Sequence, residues 1–496
     1  MAEISSDELY YGLLAYGLFS EKLPPIFTSE VFYEYCCNLK QPFNNQGHQY
    51  IHFESIRNVN NIPRAYGIPN PMAYQKLCKG LADYWDKLQR HFQNQTQEQA
   101  HIVSRIHIRK HKGSKALFEM NYKNWKTDGT PELDLFIGKK YIVEADIATC
   151  FPSIYTHSLC WALVGKNVAK INRNDSEWYN QIDKWCRNLK DGETHGLMIG
   201  PHTSNLLSEI VLTTIDKNLT DKNWAFTRNI DDYSCYVSSY EEGQKFLIDL
   251  GEELRKFDLS LNQKKTAIKE LPLPVRERWV HVLNMINKIF LVGEKEYKKI
   301  NYEKIQSYMD EAIQLVKQND NNAAVLKYAM KVIAQKELSE NARTYCVKLF
   351  MHLAIIYPYL VLYLDEYVFQ TFNVDKKDIE TFSNLLYSAA SNVKNYEAMY
   401  YTIYFALKYD FLLTSLKVED VIANDSCLLK LFAYLYCKKN NDKDAKKLLK
   451  EHAKHLADID FDKFWIFIYE CLSENELKDE WKKMKEKKVT FLRAIY

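Results

Sequence analysis

Tyr141-Ile142-Val143-Glu144-Ala145-Asp146 is an apolar run that ends in an acid, and Asn229-Ile230-Asp231-Asp232 is a turn tetrapeptide carrying two more. The segments between and after them decide the fold. Phe151-Pro152-Ser153-Ile154 opens a helix. Gly196 to Leu212 reads as a glycine-bounded turn followed by a helix with Leu206, Leu207, Ile210 and Val211 on its core side. Trp224 to Val237 reads as two strands meeting at the acidic tetrapeptide. A helix from about Glu241 to Phe257 then leads to a strand at Ser260-Leu261-Asn262 and the pair Lys265-Thr266. Strand, helix, hairpin, helix, strand is the split β-α-β-β-α-β layout.

In that layout the first strand lies beside the hairpin, so Asp146 at a strand end faces Asp231 and Asp232 at the hairpin tip. Two like charges at about 4 Å repel by about 4 kcal/mol at an effective dielectric of 20. Such a cluster therefore needs cations or protons. Carboxylate oxygens suit Mg²⁺, which also takes phosphate oxygens, and a pair of such ions activates a hydroxyl and stabilises a leaving pyrophosphate. An Asp-Asp dipeptide alone is an ordinary turn device. The third acid and the order of the flanking elements give it a chemical meaning.

Working outward, Lys plus Arg (66) nearly cancel Asp plus Glu (64), so a nucleic-acid partner requires a local basic surface. His101 to Lys126 offers one, with seven Lys or Arg against one Glu. Within it Arg105-Ile106-His107-Ile108-Arg109 alternates, placing Arg105 and Arg109 on one side of a strand; a solvated charged face is the competing reading. Residues 1 to about 95 read as mostly helical, with breaks at Pro24-Pro25 and Ile68-Pro69-Asn70-Pro71. Composition changes once: all fifteen glycines lie at or before Gly293, and the residues beyond contain a single proline, Pro358. A stretch without these punctuators is a set of long helices. Ile305, Tyr308, Met309, Ala312, Ile313 and Val316 form an amphipathic stripe, and similar stripes recur at 324–334, 379–390, 396–407, 427–437 and 464–472. A helical solenoid or a compact bundle satisfies this pattern. The apolar run Leu349 to Leu364 is too short to span a bilayer and reads as a buried helix. The basic tail from Trp481 to Arg493 reads as a solvated helix end. Eleven scattered cysteines without a C-x-x-C pair, and an acidic N-terminus, point to a soluble, reduced, cytoplasmic protein with no membrane partner.

These segments resemble the palm motifs of reverse transcriptases: Asp146 with an aromatic five residues on, the glycine turn and helix, Ile-Asp-Asp, and Leu-Asn-x-x-Lys-Thr. Leu23-Pro24-Pro25-Ile26-Phe27-Thr28-Ser29, Ile68-Pro69-Asn70-Pro71, Phe118-Glu119-Met120-Asn121-Tyr122 and the helical second half narrow the resemblance. They are similar to the bacterial abortive-infection reverse transcriptases, nearest the P2-prophage type and related to AbiK and AbiA.

The resemblance implies an α+β fold of fingers and palm followed by an all-α, HEAT-like helical-repeat domain, divided at 1–139, 140–279 and 280–496. It implies an anti-phage DNA polymerase that adds dNTPs without a template, primed from a protein hydroxyl, leaving single-stranded DNA covalently attached, in a homo-oligomer. A templated, retron-like enzyme and a non-catalytic helical interaction protein are the alternatives. Two Mg²⁺ ions, replaceable by Mn²⁺, are implied on Asp146, Asp231 and the Ile147 carbonyl, with Asp232 beside them. Phe151 falls where the family places the ring that excludes a 2′-hydroxyl. Gly200, Pro201 and Ser204 would shape the nucleotide floor, Lys265 would meet the pyrophosphate, and Arg105 and Arg109 would hold the triphosphate. Tyr10, Tyr11 and Tyr16 are candidate primers among 35 tyrosines. Two departures weaken templated copying: Met198-Ile199 stands where the family has Pro-Gln, and Asn229 replaces the aromatic before the acids.

Overall fold

The computed structural model describes residues 4–99, 101, 103–104, 107–108, 118–119, 131–274, 277–289 and 299–494. Its centre is a four-stranded antiparallel sheet ordered β6-β7-β5-β8, built from β5 (Tyr141–Asp146), β6 (Phe226–Asn229), β7 (Asp232–Val237) and β8 (Ala267–Glu270). The helices Thr203–Asp221 and Tyr240–Arg255 supply the two crossovers of the split β-α-β-β-α-β arrangement. Val143, Tyr233, Cys235 and Val237 of the sheet are buried, as are Phe246, Leu250 and Leu254 of the second helix. That helix starts where Ser239 accepts the Glu242 amide at 3.1 Å, an N-cap that fixes its entry onto the sheet. Gly243 lets it approach: a Cβ there would lie 3.1–3.2 Å from Ile268 and Val143.

One strand is displaced from its expected place. Ser260-Leu261-Asn262 makes only an isolated bridge, Leu261 to Ile147, and the chain turns before β8 begins at Ala267. Asn262 causes the turn, because its side chain accepts the Lys264 amide at 3.2 Å and its carbonyl accepts the Lys265 amide at 3.1 Å.

The N-terminal region is less helical than its sequence suggests. Between the helices Glu30–Cys37 and Pro71–Asp83 lies an antiparallel hairpin of β1 (Tyr50–Ile56) and β2 (Pro63–Pro69), with Phe53 opposite Tyr66 and their rings stacked at 5.3 Å. A short pair, β3 (His107–Ile108) and β4 (Phe118–Glu119), runs antiparallel within the basic span. Arg105 and Arg109 lie outside the described residues.

Beyond residue 299 the chain is helical, with Tyr302–Gln318, Ala324–Ile333, Glu340–Ile356, Lys376–Asn392, Tyr396–Tyr409, Cys427–Lys439 and Lys443–Ile459 as its main elements. Their polar corners use the residues that tolerate left-handed backbone, as at Asp320, Asn321 and Asn441. The run expected as one buried helix from Leu349 to Leu364 is split, because Pro358 cannot continue a helix and starts a 3₁₀ turn instead. Among the described residues no helix is long and apolar enough to cross a membrane.

The helical region closes back onto the N-terminal one. Glu397, 3% exposed, accepts the Ile56 amide at 2.9 Å, the Arg57 guanidinium at 3.2 Å and the Ser55 hydroxyl. Asp462 takes Asn70 at 2.8 Å and His48 at 3.0 Å. Residues 491–493 pair with 26–28: the Thr28 amide donates to Phe491 at 2.9 Å and the Arg493 amide to Ile26 at 2.7 Å. The tail expected to be solvated therefore buries Trp481, Met484 and Phe491.

Candidate active site

The strand register builds the acidic pocket. Asp146, the last residue of β5, pairs with Asp232, the first of β7, and the Ile147 amide donates to the Asp231 carbonyl at 3.1 Å. Carboxylate oxygens of Asp146, Asp231 and Asp232 consequently lie within 4.8 Å of one another, although 85 positions separate the first from the second. Asp146 is buried, Asp231 half-buried and Asp232 exposed.

Concentrated negative charge shows in the proton affinities. Burial, reinforced by the Asp146 charge, pushes Asp231 above the usual carboxylate range. Asp232 is exposed as a residue, yet its carboxyl is partly withdrawn from water among the other acids; that desolvation leads, followed by repulsion from Asp231 and the bond to Asp146, and its pKa rises to about 7. Asp146 has local partners: Asn262 Nδ2 donates to one oxygen at 2.8 Å and Lys265 Nζ to the other at 2.8 Å. That bond raises the lysine's own pKa and keeps it charged. Lys265 thus contacts the acids themselves, while most of its side chain stays exposed.

Strain is stored at the same spot. Ile230, in the two-residue hairpin connection, has φ +61°, and Thr149, three residues beyond Asp146, has φ +44°. Left-handed backbone is rare for β-branched residues and costs about 1–3 kcal/mol at each site.

The expected nucleotide floor forms a connected unit. Phe151 is buried on the short helix Cys150–Ser153, and its carbonyl accepts the Leu197 amide at 2.8 Å. Gly200 has φ +131°, and a Cβ there would sit 2.8 Å from the Gly67 carbonyl of β2. The Gly67 amide in turn donates to Ile199 at 2.9 Å, so the β1–β2 hairpin rests directly on the glycine turn. Pro201 is buried, and Ser204 donates to the Met198 carbonyl at 2.6 Å. These two residues shape the turn from behind. Of the candidate primers, Tyr10 accepts from Gln75 at 3.0 Å, while Tyr11 and Tyr16 share a hydroxyl contact at 2.9 Å and Tyr16 also bonds Glu30. Burial raises the Tyr10 and Tyr16 phenols; Tyr11 is the exposed one.

Sequence reading missed three contributors. Arg64 of β2 is exposed, and its charge reaches Asp231 and favours the ionised acid. Asn262 belongs to the Leu-Asn-x-x-Lys-Thr segment, where a polar residue beside Lys265 was the available signal. Beneath the hairpin, fully buried Arg228 binds Glu209 at 2.8 Å and Asp216 at 2.7 Å. Those acids sit seven residues apart on the apolar stripe of the Thr203–Asp221 helix, a spacing that marks a buried partner.

The family comparison agrees with a polymerase-like palm. Residues 73–302 match the family described as reverse transcriptase (RNA-dependent DNA polymerase), so the chain carries a reverse-transcriptase-like nucleotidyltransferase domain. No curated protein matches. Among solved structures, the chain is similar to apo telomerase from Candida tropicalis truncated from its C-terminal domain, at 14% identity over 48% of this chain and 52% of that one, TM-score 0.29. It is also similar to telomerase from Candida albicans in complex with a telomeric RNA fragment, at 10% identity over 72% and 64%, TM-score 0.28. Apo telomerase from Candida tropicalis gives 12% identity over 78% and 76%, TM-score 0.33. The chain thus spans about half the length of the first of these and under two thirds of the second.

Proposed function

We propose that this chain is an anti-phage, reverse-transcriptase-like DNA polymerase of the bacterial cytoplasm. It extends a protein hydroxyl with dNTPs, without a template, and keeps the single-stranded product covalently attached. The convergence of Asp146, Asp231 and Asp232 supports the nucleotidyl-transfer part of this reading, and the defence role, the protein primer and the absence of a template rest on the sequence resemblance. Three acids so close, two of them with raised proton affinity, form a site whose charge deficit fits divalent ions, and all-oxygen ligands suit Mg²⁺ or Mn²⁺. Bound ions of this kind supply the Lewis acidity that activates a hydroxyl and steadies leaving pyrophosphate.

The chain's own residues do the remainder. Asp146 and Asp231 are the ligands, with Asp232 beside them and the Ile147 carbonyl as an added oxygen. Lys265 is charged and already at the pocket, bonded to Asp146, so it would be the cation available to leaving pyrophosphate. Phe151 beneath the sugar disfavours a 2′-hydroxyl, and Gly200 keeps the floor at backbone height. The helical region, read as HEAT-like repeats, and a homo-oligomeric assembly belong to the same proposal.

Purified protein incubated with each dNTP and Mg²⁺, without nucleic acid, should yield DNA that migrates with the protein after denaturation and disappears in Asp231→Ala. The description of the matched family favours a second reading, templated RNA-directed synthesis. Product that forms only with added RNA template and annealed primer establishes that second reading and sinks the first.

A further inference from the structure

The strained tip of the acidic hairpin is held by a device below it. Arg228 is 0% exposed and spends every guanidinium donor. Nε donates to both oxygens of Asp216 at 3.0 Å, and Nη2 to Asp216 at 2.7 Å and Glu209 at 3.1 Å. Nη1 donates to Glu209 at 2.8 Å and to the main-chain carbonyl of Ile230 at 2.8 Å. That last bond fixes the peptide plane joining Ile230, at φ +61°, to Asp231. Tyr233 completes the set by donating to Asp216 at 3.1 Å. The network also reaches the segment that enters the basic span: Ser104 donates to Glu209 at 2.9 Å, and the Arg228 amide donates to Val103 at 2.8 Å.

We infer that Arg228 is a positioning residue for the acid trio: clamped by Glu209 and Asp216, it holds the Ile230 carbonyl so that Asp231 and Asp232 are aimed at Asp146. Chemistry selects arginine here. A planar fork with five donors can serve two carboxylates and a carbonyl together, whereas lysine offers three donors from one point and leaves part of the set unserved. A β-branched residue in left-handed backbone drifts toward its ordinary conformation unless surrounding bonds over-determine it, and the Nη1 bond supplies that constraint. The inference rests on the metal-site reading of the trio, and its test does not require polymerase activity.

The readout is Mn²⁺ affinity, measured from the loss of the free-ion electron paramagnetic resonance signal, with circular dichroism as the check on folding. Arg228→Lys should bind Mn²⁺ at least tenfold more weakly than wild type. Ile230→Gly, introduced into that background, should recover threefold or more, because glycine adopts φ +61° without strain. A purely structural arginine predicts no such rescue. Should Arg228→Lys fail to fold, Glu209→Gln, which takes the charge from one clamp, and Tyr233→Phe, which removes the hydroxyl that holds the other clamp Asp216, keep the guanidinium and should weaken Mn²⁺ at least threefold. Folded Arg228→Lys with unchanged affinity, folded anchor variants with unchanged affinity, or no rescue by Ile230→Gly overturns the inference. Wild type whose Mn²⁺ affinity depends on Arg228 in this way but which incorporates no dNTP leaves the inference standing and removes the polymerase reading.

Discussion

Replacing Asp232 by asparagine should stabilise the metal-free protein while disabling it. Ionised carboxylates within 4.8 Å of one another repel, pair by pair, by at least about 3.5 kcal/mol at an effective dielectric of 20. Asp232 is exposed, so solvent screening reduces its share to about 1–2 kcal/mol. The sign of the pH dependence follows from its pKa of about 7 in the folded chain against about 3.9 in an unfolded one. Between those values the folded state binds more protons, so stability falls as pH rises from about 4 to about 7 and stays reduced above that. In EDTA at pH 8, Asp232→Asn should raise the unfolding temperature by about 1 °C for each kcal/mol relieved, because the entropy of unfolding scales with chain length. At pH 4.5 the gain should shrink toward zero. At pH 8 added Mg²⁺ should stabilise wild type more than the variant, which keeps Asp146 and Asp231 but loses the third negative charge, and dNTP incorporation by the variant should drop at least a hundredfold. Differential scanning calorimetry at the two pH values decides the matter. Equal or lower stability of Asp232→Asn at pH 8 without metal would refute the claim that these acids repel one another in one pocket.

Glu397→Ala strands the Arg57 charge and the Ile56 amide in a buried contact, a loss of about 3–5 kcal/mol visible as a lower urea midpoint; a change under about 1 kcal/mol contradicts the docking described. Phe151→Val should raise incorporation of rNTPs relative to dNTPs at least tenfold in single-nucleotide assays, and unchanged selectivity removes the ring from that role. Gly200→Ala must reconcile φ +131° with a Cβ 2.8 Å from the Gly67 carbonyl. It should cost about 1–3 kcal/mol in chemical denaturation, and stability equal to wild type shows that the glycine turn and β2 do not touch.

The palm was legible because its signals are local. Apolar strands end in acids, glycines bound the turn before the Thr203–Asp221 helix, and a two-residue hairpin separates Asn229 from Asp232. β8 was misplaced because Leu261 is the more apolar candidate, whereas Ala267–Glu270 is an edge strand with half-exposed and exposed residues that carry little pattern. The β1–β2 hairpin was missed because Pro63 and Pro69 bracket β2 and Asn-rich segments surround both strands, although Ile51 and Phe53 alternate inward between His52 and Glu54. Long-range partners left no trace at all. Arg57 and Glu397 lie 340 positions apart, and nothing near either residue names the other. Arg228 was hidden for the same reason, since only folding brings its two acids beneath the hairpin.

The helical half is stitched into the front of the chain through Glu397, Asp462 and Phe491. Excising it would not yield a lean polymerase lacking an accessory; it would strip the backing from β1 and from Asn70, which leads out of β2. β2 is also the strand that touches the glycine turn. From Asp462 to the glycine turn at Gly200 the path is thus Asn70, the end of β2 and the Gly67–Ile199 hydrogen bond.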